Sequence, residues 1–230
     1  MRGVLKNLRN ARYIRHHLKG KEVFVVEQAG PELAEQVRKL QAKVYLHHGN
    51  INSLQINEQG VLDFKTDPYF SHSAYFAAKR KDKLLAGARL ILPVQGYSSL
   101  QISKEIPPDQ LSVELKQAAK TGKCCEMSGL VKDKGAPSVL PLLLIRDMYK
   151  YASKNGFEYI LMSVSDSPYQ RFKMVFGDVL HSLGEPYKIP HGNNLVHPCY
   201  LQLDGLIHRL NNSGGKDSYS KRLVKRLMSQ

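Results

Sequence analysis

Three cysteines are few for 230 residues, and two of them, Cys124 and Cys125, are neighbours. Such a set makes neither a disulfide framework nor a metal-binding spacing. It points to a reducing compartment, the cytoplasm, and to packing as small apolar side chains. Long apolar runs are missing as well: none approaches the roughly 18 residues that a membrane-crossing helix requires. Nine histidines are present, yet no ligand spacing forms among them. His16-His17 and His47-His48 are adjacent pairs whose rings point apart on a helix or strand, so no metal is expected. The N-terminus is basic but has no apolar stretch behind it, which excludes a secretory signal. No internal repeat occurs.

Acidic residues are scarce at the ends. Residues 1–21 hold seven bases and no acid, and residues 216–230 hold five bases and one acid. The other 22 bases and 19 acids nearly cancel, so the net charge of +14 sits in the two ends. Basic ends suit an acidic partner: nucleic acid, an anionic membrane surface touched from the periphery, or an acidic carrier protein. Solubilising tails are the plain alternative. No aromatic-rich recognition motif accompanies the charge, so no specific nucleic acid is expected. The chain divides into a basic extension (1–21), a domain (22–210) and a basic tail (211–230). Residues 2–18 allow a basic helix with Val4, Leu8, Ala11 and Leu18 loosely on one face. With 42% hydrophobic residues, the chain is apolar and long enough to bury a core.

The best-punctuated stretch runs from Cys124 to Gly184. It reads strand (Cys124–Val131), loop (Lys132–Pro137), helix (Val139–Lys154), strand (Tyr159–Val164) and helix (about Pro168–Leu183). Gly135-Ala136-Pro137 and Asn155-Gly156 bracket the first helix, on which Leu142, Ile145, Tyr149 and Ala152 recur at three- and four-residue steps. This is a βαβ unit whose loop presents backbone N–H groups and a helix N-terminus to an anion. Upstream, Glu22–Gln28 reads as a strand and Pro31–Leu46 as a helix, with Leu33, Val37, Leu40 and Val44 as its core stripe. Residues 50–70 form a long polar loop of the kind that closes over ligands. Ser73–Lys79 and Leu84–Leu92 form an antiparallel hairpin around Arg80-Lys81-Asp82-Lys83, and Asp109 caps a helix reaching about Ala119. Downstream, Tyr187–Ile189 and Pro198–Leu203 are strands around the turn His191-Gly192-Asn193-Asn194, and Asn211–Gly215 is a joint. This order makes an α/β fold with a mixed sheet flanked by helices.

The segment EMSGLVKDKGAPSVLPLLLIRDMYKYASKNGFEYILMSVS resembles the acyl-donor core of the GCN5-related N-acyltransferase superfamily. LLAGARLILP (Leu84–Pro93), followed about forty residues later by CEMSGLV (Cys125–Val131), resembles one branch of it. That branch holds the acyl-homoserine-lactone (autoinducer) synthases and the long-chain N-acyl amino acid synthases. FKMVFGDVLHSLGEPYKIP (Phe172–Pro190) resembles the closing helix and strand of the latter group. The likeness spans about Asp63 to Leu203. It implies a mixed, mostly antiparallel sheet flanked by helices.

Acyl transfer to an amine needs a polarised thioester carbonyl, a deprotonated amine and a departing thiolate. Glu126 lies in an apolar strand, where a carboxylate is costly unless paired or used, and shares a face with Ser128. A solvent-facing or salt-bridged Glu is the plain alternative. In the resemblance, the Glu of a Glu-x-Ser-Arg motif handles the acceptor amine. Glu126-Met127-Ser128-Gly129 keeps the Glu and Ser but has Gly129 in place of the Arg, which counts against lactone formation. Arg89 matches the Arg of the family's Gly-x-x-Arg-Leu strand. A pair with Glu126 across neighbouring strands satisfies both, and the Arg89 fork can hold an acceptor carboxylate. Asp63 and Asp67 stand where the family has paired acids; Asp67, in Asp67-Pro68-Tyr69, is the better match for orienting the amine. Turn capping is the alternative there.

The resemblance further implies that Leu130 and Val131 offer backbone groups to a pantetheine arm, and that Lys132, Lys134 and Gly135 belong to the donor loop. Pro137 removes a backbone N–H where a pyrophosphate acceptor wants one, which favours phosphopantetheine on an acidic carrier protein over coenzyme A. Ordinary solvated lysines remain the alternative. The family's Tyr in its fourth helix, general acid to the thiolate, has no counterpart: the position falls on Phe172 or Lys173, with Tyr169 a turn earlier.

The resemblance thus implies an N-acyltransferase with no resident cofactor. It moves a long fatty acyl group from a carrier protein to the amine of an amino acid or related small acceptor. Three rivals stand beside it: a coenzyme-A-dependent acetyltransferase, a nucleic-acid-binding protein using the basic ends, and a non-catalytic domain that keeps the fold.

Overall fold

Pro31 opens helix α1 (Pro31–His47) at its first position, where a missing N–H costs nothing. The computed structural model containing it describes residues 25–188, 195–204 and 206. The basic ends, the helix expected over 2–18, the turn His191–Asn194, the Asn211–Gly215 joint and any membrane contact through the ends lie outside the described residues. Before α1 comes strand β1 (Val25–Gln28); after it come β2 (Ser73–Arg80), β3 (Lys83–Ile91), β4 (Val94–Tyr97) and helix α2 (Val113–Lys120). The βαβ unit is β5 (Cys124–Lys132), α3 (Leu140–Lys154) and β6 (Tyr159–Ser165). Helix α4 (Asp166–Phe176), β7 (Leu180–Ser182), β8 (Tyr187–Lys188) and β9 (Leu195–Gln202) follow.

Among the described residues, eight strands form one sheet in the order β1-β2-β3-β5-β6-β9-β7, with β8 beside β9. Among the described residues only β5 and β6 pair in parallel; every other pairing is antiparallel. Helices α3 and α4 cover one face, packed on Phe76, Leu90, Met127, Ile160 and Met162. Helix α2 and the residue 97–111 segment cover the other, over Ile91, Cys124 and Leu161. Helix α1 lies beside them on that face, with Val37 on Tyr75 and Ala77. Among the described residues no helix is long and apolar enough to cross a membrane.

Three expectations need correction. Asp109 sits in a separate 3-10 turn, Pro108–Gln110, and the cap of α2 is Ser112, whose hydroxyl accepts the Leu115 N–H at 3.3 Å. Extended Leu111 between them breaks the helical run. The second helix of the βαβαβ stretch ends at Phe176 rather than Leu183, because Gly177 takes φ of 55°, and the chain then turns into β7. The core stripe of α1 is Val37, Leu40, Gln41 and Ala42; Leu33 and Val44 are half-buried. The long loop at 50–70 is also less open than its composition suggests. A capping box at Asn52, Asn57 bonded to the Gln59 and Val61 N–H groups, and an Ile56–Leu62 bridge organise it.

Two irregularities in β5 prepare the site. Against β3 the register jumps from Gly87↔Val131 to Arg89↔Ser128, so Gly129 and Leu130 stand opposite Ala88 alone. This is a bulge, and Gly129 turns it with φ of 62°. Against β6, pairing runs only from Cys124↔Tyr159 to Met127↔Met162, although β5 continues to Lys132 and β6 to Ser165. The two strands part there, opening a split.

Candidate active site

Strand alternation puts Tyr75, Arg89 and Ser128 in one row across β2, β3 and β5 on the face that α1 and α2 cover. The next row, Ile91, Glu126 and Leu161, ends at the point where β5 and β6 separate. Glu126 therefore stands at the head of the split, 2% exposed. Its Oε2 accepts the Ile102 N–H at 2.9 Å, and the Gln101 N–H also reaches the carboxylate. These donors open the 3-10 helix Gln101–Lys104. Burial pushes the Glu126 carboxyl up to about 7, against the opposing pull of the Ile102 N–H, the Arg89 charge and the Gln101 N–H. A carboxylate so placed exchanges protons near neutrality.

Arg89 is paired with Asp67 rather than with Glu126, which corrects the expected cross-strand pair. The register sets Glu126 opposite Ile91, diagonal to Arg89, whereas Asp67 descends from the long loop onto the guanidinium. Nη1 donates to both Asp67 oxygens, each at 2.7 Å, and approaches the Tyr75 hydroxyl at 3.5 Å. Both partners are buried. Burial alone lowers the Arg89 guanidinium, but Asp67 and Tyr75 outweigh it and hold it raised. Asp63 stays outside this cluster: its carboxylate accepts the Thr66 N–H at 2.6 Å and is lowered by that bond, capping the turn that delivers Asp67. Ser128 faces the site, its hydroxyl donating to Gln101 Oε1 at 3.2 Å.

Further along β5, Val131 is buried, and half-buried Leu130 lies in the bulge. Lys132 folds back on its own loop, its ammonium donating to the Ala136 carbonyl at 3.2 Å. Lys134 and Gly135 are exposed, Gly135 at φ of 81°. Asp133 draws Lys43 to 3.2 Å and Lys83 to 3.8 Å and also takes the Lys134 N–H. The Lys43 bond leads in holding its carboxyl below the usual range.

Several residues escaped the sequence. Gln41, buried in the α1 stripe, donates from Nε2 to the Gly129 carbonyl at 2.9 Å; a polar residue between Leu40 and Ala42 was its only signal. Tyr45, one turn further on, has a phenol raised by burial, lowered by Arg89 and raised again by Asp67 and Glu126, so it feels all three charges. Arg38 lies over the Phe70 ring, 4.4 Å from its centroid. The Nε atoms of Arg38 and Arg89 are buried without a hydrogen-bond partner among the described residues. Cys124, Cys125 and Cys199 are free and buried, and burial raises each thiol, that of Cys124 to about 12.

No family model and no curated protein matches this chain. Solved structures do. FeeM, an N-acyl amino acid synthase from uncultured soil microbes, superposes with a TM-score of 0.62 at 14% identity, over 82% of this chain and 95% of its own. The acyl-homoserine-lactone synthase LasI matches with a TM-score of 0.58 at 15% identity, over 79% and 91%. BjaI, a CoA-dependent acyl-homoserine-lactone synthase with bound MTA, matches with 0.58 at 17%, over 82% and 89%. The eight-stranded sheet of this chain, its one parallel pair and its flanking helices are therefore the GCN5-related N-acyltransferase fold, in the form these synthases share.

Proposed function

We propose that this chain is an N-acyltransferase. It moves a fatty acyl group from a phosphopantetheine thioester to the amine of an amino acid or related small acceptor. The observation that carries the reading is Glu126, a buried carboxyl titrating near 7 at the head of the β5–β6 split. The thioester lies in the split with its acyl chain toward the apolar α3 side. The acceptor enters on the Glu126 side. The amine lone pair attacks the thioester carbonyl, its proton passes to Glu126, and the C–S bond breaks to release the thiolate, which takes up a proton to leave as the thiol. The raised cysteine thiols are poor nucleophiles, which supports direct transfer without an acyl-enzyme.

Arg89, neutralised by Asp67, anchors the acceptor side. Its Nε–H and that of Arg38 lack partners among the described residues, and an acceptor carboxylate satisfies such groups. Asp67 then orients the amine through the pair, and Ser128 lines the rim.

The donor is assigned to a carrier protein. Pro137 removes one N–H from the loop after β5, and Asp133 takes the Lys134 N–H, a group that a pyrophosphate would otherwise use. Around it Lys43, Lys83 and Lys134 are exposed, a basic rim for an acidic carrier. A coenzyme A donor is the second reading, because BjaI is described as CoA-dependent.

The test compares small molecules extracted from cells overproducing the intact chain or Glu126→Gln, followed by mass spectrometry. New N-acyl species that depend on Glu126 are expected and name both substrates. No acylated species in a host supplying long-chain acyl carriers would overturn the reading.

A further inference from the structure

An acyltransferase site needs a proton for the departing thiolate, and the position on α4 where related enzymes carry a tyrosine falls on Phe172 or Lys173. Tyr169 there stacks on His197, ring centroids 4.1 Å apart, and Phe172 is buried on the far face of the sheet. Resting on the acyl-transfer reading above, we propose that the hydroxyl pair Ser163–Tyr187 delivers that proton, with Ser163 touching the sulfur and Tyr187 supplying it from behind.

Geometry sets the pair at the right place. Glu126 and Leu161 form the last paired row on the site face before β5 and β6 part. The next residues on that face are Ser128 on one lip and Ser163 on the other. Both are half-buried, whereas every earlier residue of either strand is buried. Ser128 is engaged with Gln101. The Ser163 hydroxyl lies 2.8 Å from the Tyr187 hydroxyl. Tyr187 reaches it because β8 pairs with β9 at Val196, and β9 pairs with β6 through Val196↔Ser165 and Pro198↔Ser163. When Tyr187 donates to Ser163, the Ser163 proton is free to face an atom held in the split.

The protons balance. The amine loses one to Glu126 as nitrogen bonds to the carbonyl carbon. As the C–S bond breaks, sulfur takes the Ser163 proton while Ser163 takes that of Tyr187. Water then reprotonates Tyr187 and collects the proton from Glu126, leaving amide and free thiol. Burial raises the Tyr187 phenol, its Ser163 bond lowers it, and the Glu105 and Glu126 carboxylates raise it. With Glu126 at about 7, an ionised base and a protonated acid coexist in one cleft above neutrality.

The experiment uses the full chain and two thioesters of the same fatty acid, one on pantetheine and one on an electron-poor thiophenol that leaves without help. Turnover by the intact chain must come first; its absence overturns the acyl-transfer reading and this one with it. With turnover established, Tyr187→Phe and Ser163→Ala are each expected to slow the pantetheine ester by on the order of 10²-fold while costing the thiophenyl ester less than about threefold. Equal losses with both esters at an unchanged melting temperature, or no loss with either, overturn the proton-donor role. Ser163→Ala keeps the Tyr187 ring and so decides the matter should Tyr187→Phe fold poorly.

Discussion

Glu126 is held at a thermodynamic disadvantage, and the sign of that disadvantage is measurable. Its folded value of about 7 lies above the ordinary 4.5. The unfolded chain therefore ionises first, and stability present below the ordinary value is lost as pH rises through about 7. Converting the shift gives a loss of roughly 3 kcal/mol across that window. Glu126→Gln is expected to melt above the intact chain at pH 8, with the gap closing below pH 5. The same variant should lose at least about 10²-fold in turnover, and the intact chain should show an acidic limb near 7 in its kcat/KM profile. A profile flat through that region would remove Glu126 from the base role. Asp67 carries the opposite burden. Asp67→Asn leaves the buried Arg89 guanidinium unpaired and is expected to cost about 3–5 kcal/mol in urea unfolding, whereas Asp67→Leu with Arg89→Met costs less. Equal losses for the single and the double variant would mean that the pair itself is not what the fold depends on. The sequence marks Glu126 and Arg89 because charges in apolar strands demand partners, and Asp67 only through the family resemblance of Asp67-Pro68-Tyr69. It could not mark who pairs with whom: Asp67 is 22 positions from Arg89, in a loop whose path no periodicity encodes.

At the scale of elements, α1 and β5 lock through Gln41 and Gly129. A Cβ at Gly129 would stand 2.0 Å from Gln41 Nε2, and the backbone there has φ of 62°. An arginine in the place of Gly129, as in the Glu-x-Ser-Arg pattern, would have to displace the Gln41 amide that occupies that space. Gly129→Ala is expected to cost about 3 kcal/mol or more with Gln41 in place. In a Gln41→Ala background it should cost only the left-handed strain of about 1–2 kcal/mol. A double-mutant cycle by thermal unfolding reads the difference, and strict additivity would mean the two elements are not coupled here. Legibility varies with element length in a physical way. β5, α3 and β6 were readable because each is a continuous apolar run bracketed by Gly or Pro, in register with one period. β7 was not, since three residues along β9 carry no period of their own. α4 was overextended because Gly177 looks like any mid-helix glycine until its positive φ is known. The β5 bulge and the β5–β6 split, which make the site, are register events between strands, and strand-by-strand alternation is blind to them.

At the scale of the molecule, the proposed function divides the site in two: the acceptor side it assigns holds the buried Asp67–Arg89 pair, and the donor side it assigns holds the exposed Lys43, Lys83 and Lys134 around Asp133. Lys43 and Lys83 have side chains 71% and 68% exposed, so their pairing with Asp133 is weak and screened, and they remain open to a larger anionic surface. A carrier protein and coenzyme A make different demands on this rim. A carrier presents many carboxylates over a wide area, so its attraction is long-range and falls with salt. Lys83→Gln combined with Lys134→Glu is expected to slow transfer from an acyl carrier protein by about tenfold at low ionic strength, with the gap narrowing as salt rises. Transfer from free acyl-pantetheine, which brings no protein surface, should change less than about twofold, because the lysines act on encounter rather than on bond-making. Should acyl-coenzyme A prove the faster donor and show the same loss in the double variant, the rim would be a phosphate site. Asp133 would then have to release Lys43 and Lys83 to it, and Asp133→Asn would strengthen coenzyme A binding instead of leaving it unchanged.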